Sequence, residues 1–172
     1  MTMQVVQWAD IFTRSRYCNT VAASLNYCTK EKGLEIYAYA IMSNHMHIMA
    51  RAKESNLSDV VRDFKRHTSK QILKSIQEEP ESRREWLLRI FKEAAAGHKR
   101  NQQYQVWTHE NHAEEVYSPK FTLQKLNYIH NNPVAAAMVD HARDYRYSSA
   151  RDYAGEKGLV DVVVLNLHPM MT

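Results

Sequence analysis

Two histidines one residue apart, His45 and His47, follow the polar break Ser43-Asn44 and open a stretch to Ala52 that reads as a strand. A strand sends alternate side chains to opposite faces, so both imidazoles leave one face while Met46 and Ile48 leave the other. Two adjacent imidazoles are half of a site for a divalent cation. In a chain with nine histidines the same spacing also fits two surface histidines on a hairpin. Further on, Gln124, Tyr128 and Asn132 recur every four residues and so share one side of a helix. A phenol beside an amide there fits a tethered core or rim tyrosine as well as a nucleophile. Spacing alone leaves both pairs of readings open.

The elements that must carry these groups follow from periodicity. Met3 to Trp8 is a short apolar run expected to form a first strand. Tyr17, Val21, Leu25 and Cys28 recur at helical intervals between Arg14 and Lys32, with Gly33 as the stop. Leu34 to Ile41 pairs with His45 to Ala52 as a hairpin. Asn56 or Ser58 caps a helix to about Ile76 whose inner stripe is Leu57, Val60, Val61, Phe64 and Ile72. After Pro80, Arg83 to Ala96 is amphipathic and ends at Gly97, and Lys99 to Gln103 is polar. Tyr104 to Thr108 and Ala113 to Tyr117 are expected as strand pieces. Ser118-Pro119 opens a helix that Pro133 is expected to stop. Tyr145 to Tyr153 is turn-rich, and Val160 to Leu167 is an apolar tail. Strands interleaved with helices predict an α+β fold, an antiparallel sheet with helices packed on it.

With 172 residues the chain has room for one domain spanning 1–172, with 154–172 as a C-terminal tail. Apolar residues are 44% and charged residues 24%, which excludes disordered and fibrous classes. Lys and Arg outnumber Asp and Glu by 23 to 19, for a net charge of +4, a mild lean toward polyanionic partners. Cys18 and Cys28 sit ten residues apart on one helix, too far to bridge, and no window holds the ~18 apolar residues of a membrane span. These features predict a cytoplasmic protein with free thiols and no membrane partner.

The segment Tyr39-Ala40-Ile41-Met42-Ser43-Asn44-His45-Met46-His47-Ile48 resembles the histidine motif of the single-tyrosine HUH transposases of the insertion-sequence 200 type, nearest to their REP-associated relatives. Tyr128-Ile129-His130-Asn131-Asn132-Pro133-Val134 is similar to the tyrosine motif of that family, and Ser148-Ser149 and Tyr153 follow at the usual places. Similarity through Phe64-Lys65-Arg66-His67-Thr68-Ser69-Lys70 and Trp107 extends it over roughly residues 8 to 165. One departure is Ala136-Ala137, where the family has a basic residue and a glycine.

The resemblance implies a ferredoxin-like fold with His45 and His47 on a central strand and Tyr128 on a helix beside it. It implies His45, His47 and Asn132 as ligands of Mg²⁺ or Mn²⁺, and Tyr128 as a nucleophile that cuts single-stranded DNA and holds the 5′ end. Phenols need help to ionise, and Lys125, one turn before Tyr128, is a candidate helper or else a solvated lysine. Arg62, Lys65, Arg66 and Lys70 on the long helix are candidates for phosphate contacts, with Thr68 and Ser69 adding hydrogen bonds, or else a solvated face. Tyr104, Trp107 and Tyr117 are candidates for stacking on unpaired bases or for the core. The expected partner is single-stranded or hairpin DNA, and both monomers and homodimers fit. Two rival readings are a domesticated hairpin-binding protein that no longer cuts, and a Zn²⁺ hydrolase that leaves Tyr128 idle.

Overall fold

A computed structural model describes residues 1–54, 56–96 and 103–166. The helix stop expected at Gly97, most of the polar stretch after Lys99, and Leu167 at the end of the apolar tail lie outside them. Among the described residues the strands are β1 (Thr2–Gln4), β2 (Leu34–Ile41) and β3 (His45–Ala52), and the longer helices are α1 (Ser15–Glu31), α2 (Leu57–Glu78), α3 (Arg84–Ala96) and α4 (Pro119–Ala135). A single turn, α5 (Ala150–Tyr153), follows.

The sheet is antiparallel in the order β1-β3-β2, so the histidine-bearing strand is central. Met46 and Ile48 face α1 and α2 in the main core with Val21, Leu25, Val60 and Phe64. On the other face Ala38, Ala40 and Met49 pack against Leu126 and Ile129 of α4. The strict alternation of a strand therefore delivers His45 and His47 to the α4 side. Gly33 ends α1 at φ +63°, a conformation in which a side chain is strained, and the Asn56 side chain caps α2 by accepting from the Ser58 N–H.

The expected strand Met3–Trp8 is shorter than its apolar run. Only Thr2–Gln4 pairs with β3, and Val5 bridges to Trp107. The chain then enters the left-handed region at Gln7 (φ 52°) and Trp8 (φ 56°), which ends any ladder. The Val5–Trp107 bridge, with Val6 N–H donating to Val106 O and Thr108 N–H to Gln4 O, places 106–108 beside β1. This restores the ferredoxin-like order with its fourth strand reduced to one bridge. Ala113–Tyr117 forms no strand.

Pro133 does not stop α4, which continues to Ala135. A proline near a helix end removes one N–H, and here the last carbonyls are met further on: Ala137 N–H donates to Val134 O and Met138 N–H to Pro133 O. That closure needs a left-handed residue, and Ala137 adopts φ 54°. The tail is docked, since Val163 N–H donates to Ile36 O on the outer edge of β2.

Candidate active site

His45 and His47 meet at the sheet surface with Nε2 atoms 3.1 Å apart. Each ring is tethered through its other nitrogen. Asn44 Oδ1 accepts from His45 Nδ1 at 2.7 Å, and Thr2 Oγ1 lies 2.9 Å from His47 Nδ1. An Nδ1–H committed to an oxygen leaves the Nε2 lone pair for a cation. Two nitrogens bound at right angles to one metal at about 2.1 Å would sit about 3.0 Å apart, so the observed spacing fits a shared divalent ion. Burial, and then the neighbouring His45, lower the His47 pKa to about 4, and burial lowers that of His45. Both imidazoles are therefore neutral, the ligating form, at neutral pH.

Helix α4 lays its motif against the pair. The Tyr128 ring stands 5.3 Å from that of His47, edge to face, and is 54% exposed. Asn132 donates through Nδ2 to Tyr128 O at 2.6 Å, and its side chain lies near enough to the His47 imidazole to favour its charged form. Among the described residues no group of three or more histidines, cysteines or carboxylates is placed to hold a metal. A cleft of about 640 Å³ opens beside the pair, lined in part by His47, Tyr128, Lys125 and Glu114.

Lys125 is not a free solvated lysine. Its ammonium pairs with Glu114 at 2.5 Å and lies 6.0 Å from the centre of the Tyr128 ring. His130, on the opposite side of α4, contacts Ser149 Oγ at 2.8 Å, and Tyr39 N–H donates to the same oxygen. Tyr153 donates to Tyr37 O, and Tyr145 to Ile41 O. Residues 145–153 thus clamp α4 to β2, which is what holds Tyr128 over the histidines.

The basic residues of α2 lie across the sheet from this cleft. Arg62 pairs with Asp59 and Asp63, Arg66 with Asp63, and Lys70 is exposed beside a groove of about 1150 Å³ between α1 and α2. Lys65 differs from expectation. Its ammonium turns inward to Thr108 O at 2.8 Å, and burial lowers its pKa to about 8. Thr68 is fully buried, accepting from Trp107 Nε1 and donating to Phe64 O, so neither Thr68 nor Trp107 can meet DNA. The stacking role expected of Trp107 is corrected to a core role, whereas Tyr117 is 83% exposed.

The family model "Transposase IS200 like" matches residues 7–132. The chain belongs to the IS200-like transposase family. The match spans both histidines and ends at Asn132, so the whole constellation lies inside it. A solved structure of a REP-associated tyrosine transposase bound to a REP hairpin is similar in fold, with a TM-score of 0.62 and 17% identity over 99% of this chain and 90% of that one. A comparison with curated proteins gives no match. No helix among the described residues is long and apolar enough to cross a membrane.

Three features of this transposase site escaped the sequence reading: Thr2 behind His47, Glu114 on Lys125, and Trp8, whose ring lies 6.0 Å from that of His45. All are contacts between segments remote in sequence or poor in periodicity, and no local pattern marks them.

Proposed function

We propose that the protein nicks and rejoins single-stranded DNA, with Tyr128 as nucleophile and Mg²⁺ or Mn²⁺ held by His45, His47 and Asn132. The observation that carries this reading is the meeting of the neutral His45–His47 pair with Tyr128 and Asn132 across the β3–α4 boundary. When bound, the cation polarises the scissile phosphate and offsets the charge that grows on it. Tyr128 gives up its proton and its phenolic oxygen bonds to phosphorus. The bond from phosphorus to the 3′ oxygen breaks, and that oxygen takes up a proton. The 5′ end stays as a phosphotyrosine ester, which conserves the bond energy, so a 3′ hydroxyl from a second strand can reverse the step and restore the phenol. Lys125, close to the Tyr128 ring, steadies the phenolate and the passing phosphate once it leaves Glu114.

The DNA partner is a single strand with a hairpin beside the cut, as the hairpin held by the structurally similar transposase suggests. Arg62, Arg66 and Lys70 are the proposed phosphate contacts on α2, while Lys65, turned inward, braces α2 against Thr108.

The test is incubation with labelled single-stranded fragments of the flanking genomic DNA plus Mn²⁺, run on denaturing gels. Wild type should give cleavage and a band that survives boiling in detergent, and Tyr128→Phe should give neither. A metal hydrolase would cut without an adduct, and a domesticated binder would retain the DNA without cutting. An adduct persisting in Tyr128→Phe would move the nucleophile to the exposed Tyr117. Tyr145 is buried, with its hydroxyl committed to Ile41 O.

A further inference from the structure

Tyr128 sits in the middle of a file of rings. On one side, Lys125 Nζ lies 5.1 Å from the centre of the Phe121 ring, and Phe121 stacks at a 34° tilt on Tyr117, 5.6 Å away. On the other side, the His47 and His45 rings are 4.8 Å apart, and the Trp8 indole stands edge-on to His45 at 6.0 Å. The two ends of the file are open to solvent: Tyr117 is 83% exposed and Trp8 59%.

Exposed aromatic rings ordinarily find cover in the core. Trp8 stays out, on a backbone whose Gln7 and Trp8 occupy consecutive left-handed conformations that side chains rarely adopt. Phe121 lies seven positions before Tyr128, about 10 Å along the helix axis, and Trp8 lies beyond the two histidine rings, so the nucleophile stands between two aromatic platforms. The exposed rings of Trp8, Tyr117 and Tyr128, with the Lys125 cation beside the last, offer faces on which unpaired bases can stack whatever their sequence. A duplex, whose bases are already stacked, has nothing to offer them.

We propose that Trp8 on one side of Tyr128, and Tyr117 with Phe121 on the other, form a track that stacks the unpaired bases flanking the scissile phosphate. This inference rests on the reading of Tyr128 as the nucleophile and adds how the strand is held over it. Phe121 on α4 and Tyr117 just before it grip the strand on one side of the phenol. Trp8 grips it past the histidines, so that the phosphate between the two platforms is drawn across the phenol. The track carries affinity without sequence preference, leaving sequence recognition to the hairpin.

The experiment measures binding of a labelled oligothymidine, which forms no hairpin, by fluorescence anisotropy at several salt concentrations. Trp8→Ala, Tyr117→Ala and Phe121→Ala should each weaken binding about 5- to 150-fold. The slope of log affinity on log salt should not change, because no charge is removed. Trp8→Tyr and Tyr117→Phe, which keep a ring, should bind close to wild type, and a duplex of equal length should be insensitive to all five changes. Alanine variants that bind as wild type, or that ring-keeping variants fail to rescue, would overturn the track. The two readings fail separately. An adduct on Tyr128 with no loss of affinity in the alanine variants sinks the track alone, and loss of affinity without any adduct sinks the nuclease reading while the track stands.

Discussion

Asn44 and Thr2 bind nothing themselves in this scheme, yet Asn44 decides which nitrogen His45 presents and Thr2 holds the His47 ring in place. With Asn44 Oδ1 accepting from His45 Nδ1, the Nε2 of that ring is left as a lone pair aimed at His47 Nε2. Partners of this kind typically contribute 10- to 100-fold to metal affinity. Asn44→Ala should therefore weaken Mn²⁺ binding by about 10- to 100-fold, read by titration against the free-ion electron paramagnetic resonance signal. Thr2→Val should act in the same direction, and Asn44→Asp, which keeps the acceptor, should be milder. Unchanged Mn²⁺ affinity in a folded Asn44→Ala protein would show that the tether is idle. Replacing both His45 and His47 with Ala should abolish cleavage and spare hairpin binding, because the proposed phosphate contacts on α2 lie across the sheet. Cleavage surviving in that double variant would remove the metal from the mechanism.

At the scale of elements, what was legible in the sequence was what repeats. The inner stripes of α1 and α2 and the apolar hairpin β2–β3 announce themselves through periods of about 3.6 and 2 residues, so the strand carrying His45 and His47 lay within the expected bounds. Residues 104–117 did not, because their place beside β1 is set by one bridge and a few backbone bonds to a remote segment. Pro133 misled for a related reason: its local effect is to break a helix, but the closing bonds of Ala137 and Met138 make it tolerable within the last turn. That closure leaves Ala137 at φ 54°, where the resemblance leads one to expect glycine. Ala137→Gly should then stabilise the protein by about 1 kcal/mol through relief of the left-handed strain, seen as a higher urea midpoint with unchanged slope. An equal or lower midpoint would mean that the strain is absent or that glycine's extra freedom in the unfolded chain cancels it. On α2, removing Arg62, Arg66 and Lys70 should flatten the salt dependence of DNA binding by about 0.7 per contact on a single strand or 0.9 on a duplex. An unchanged slope would place the DNA on another surface.

The whole molecule divides its labour between the faces of one sheet: α1 and α2 bury the main core on one, and α4 completes a smaller core and the cleft on the other. The second face has a cost in acid. Burial lowers both His47 and His130 from the usual 6.5 to about 4, so the folded chain keeps them neutral where the unfolded chain protonates them. Between about pH 6.5 and 4 the unfolded state binds more protons, and stability must fall as the pH drops through that window. Above it neither group contributes any slope. At pH 5 each histidine should have cost about 2 kcal/mol relative to pH 7.5, and most of that loss should fall on the α4 face. Urea unfolding at pH 7.5, 6 and 5 tests this. His130→Gln keeps a hydrogen-bonding group near Ser149 but cannot titrate, so it should lose markedly less stability across the series than wild type does, even if it starts lower. Parallel curves for the two proteins would show that His130 is not held neutral by burial.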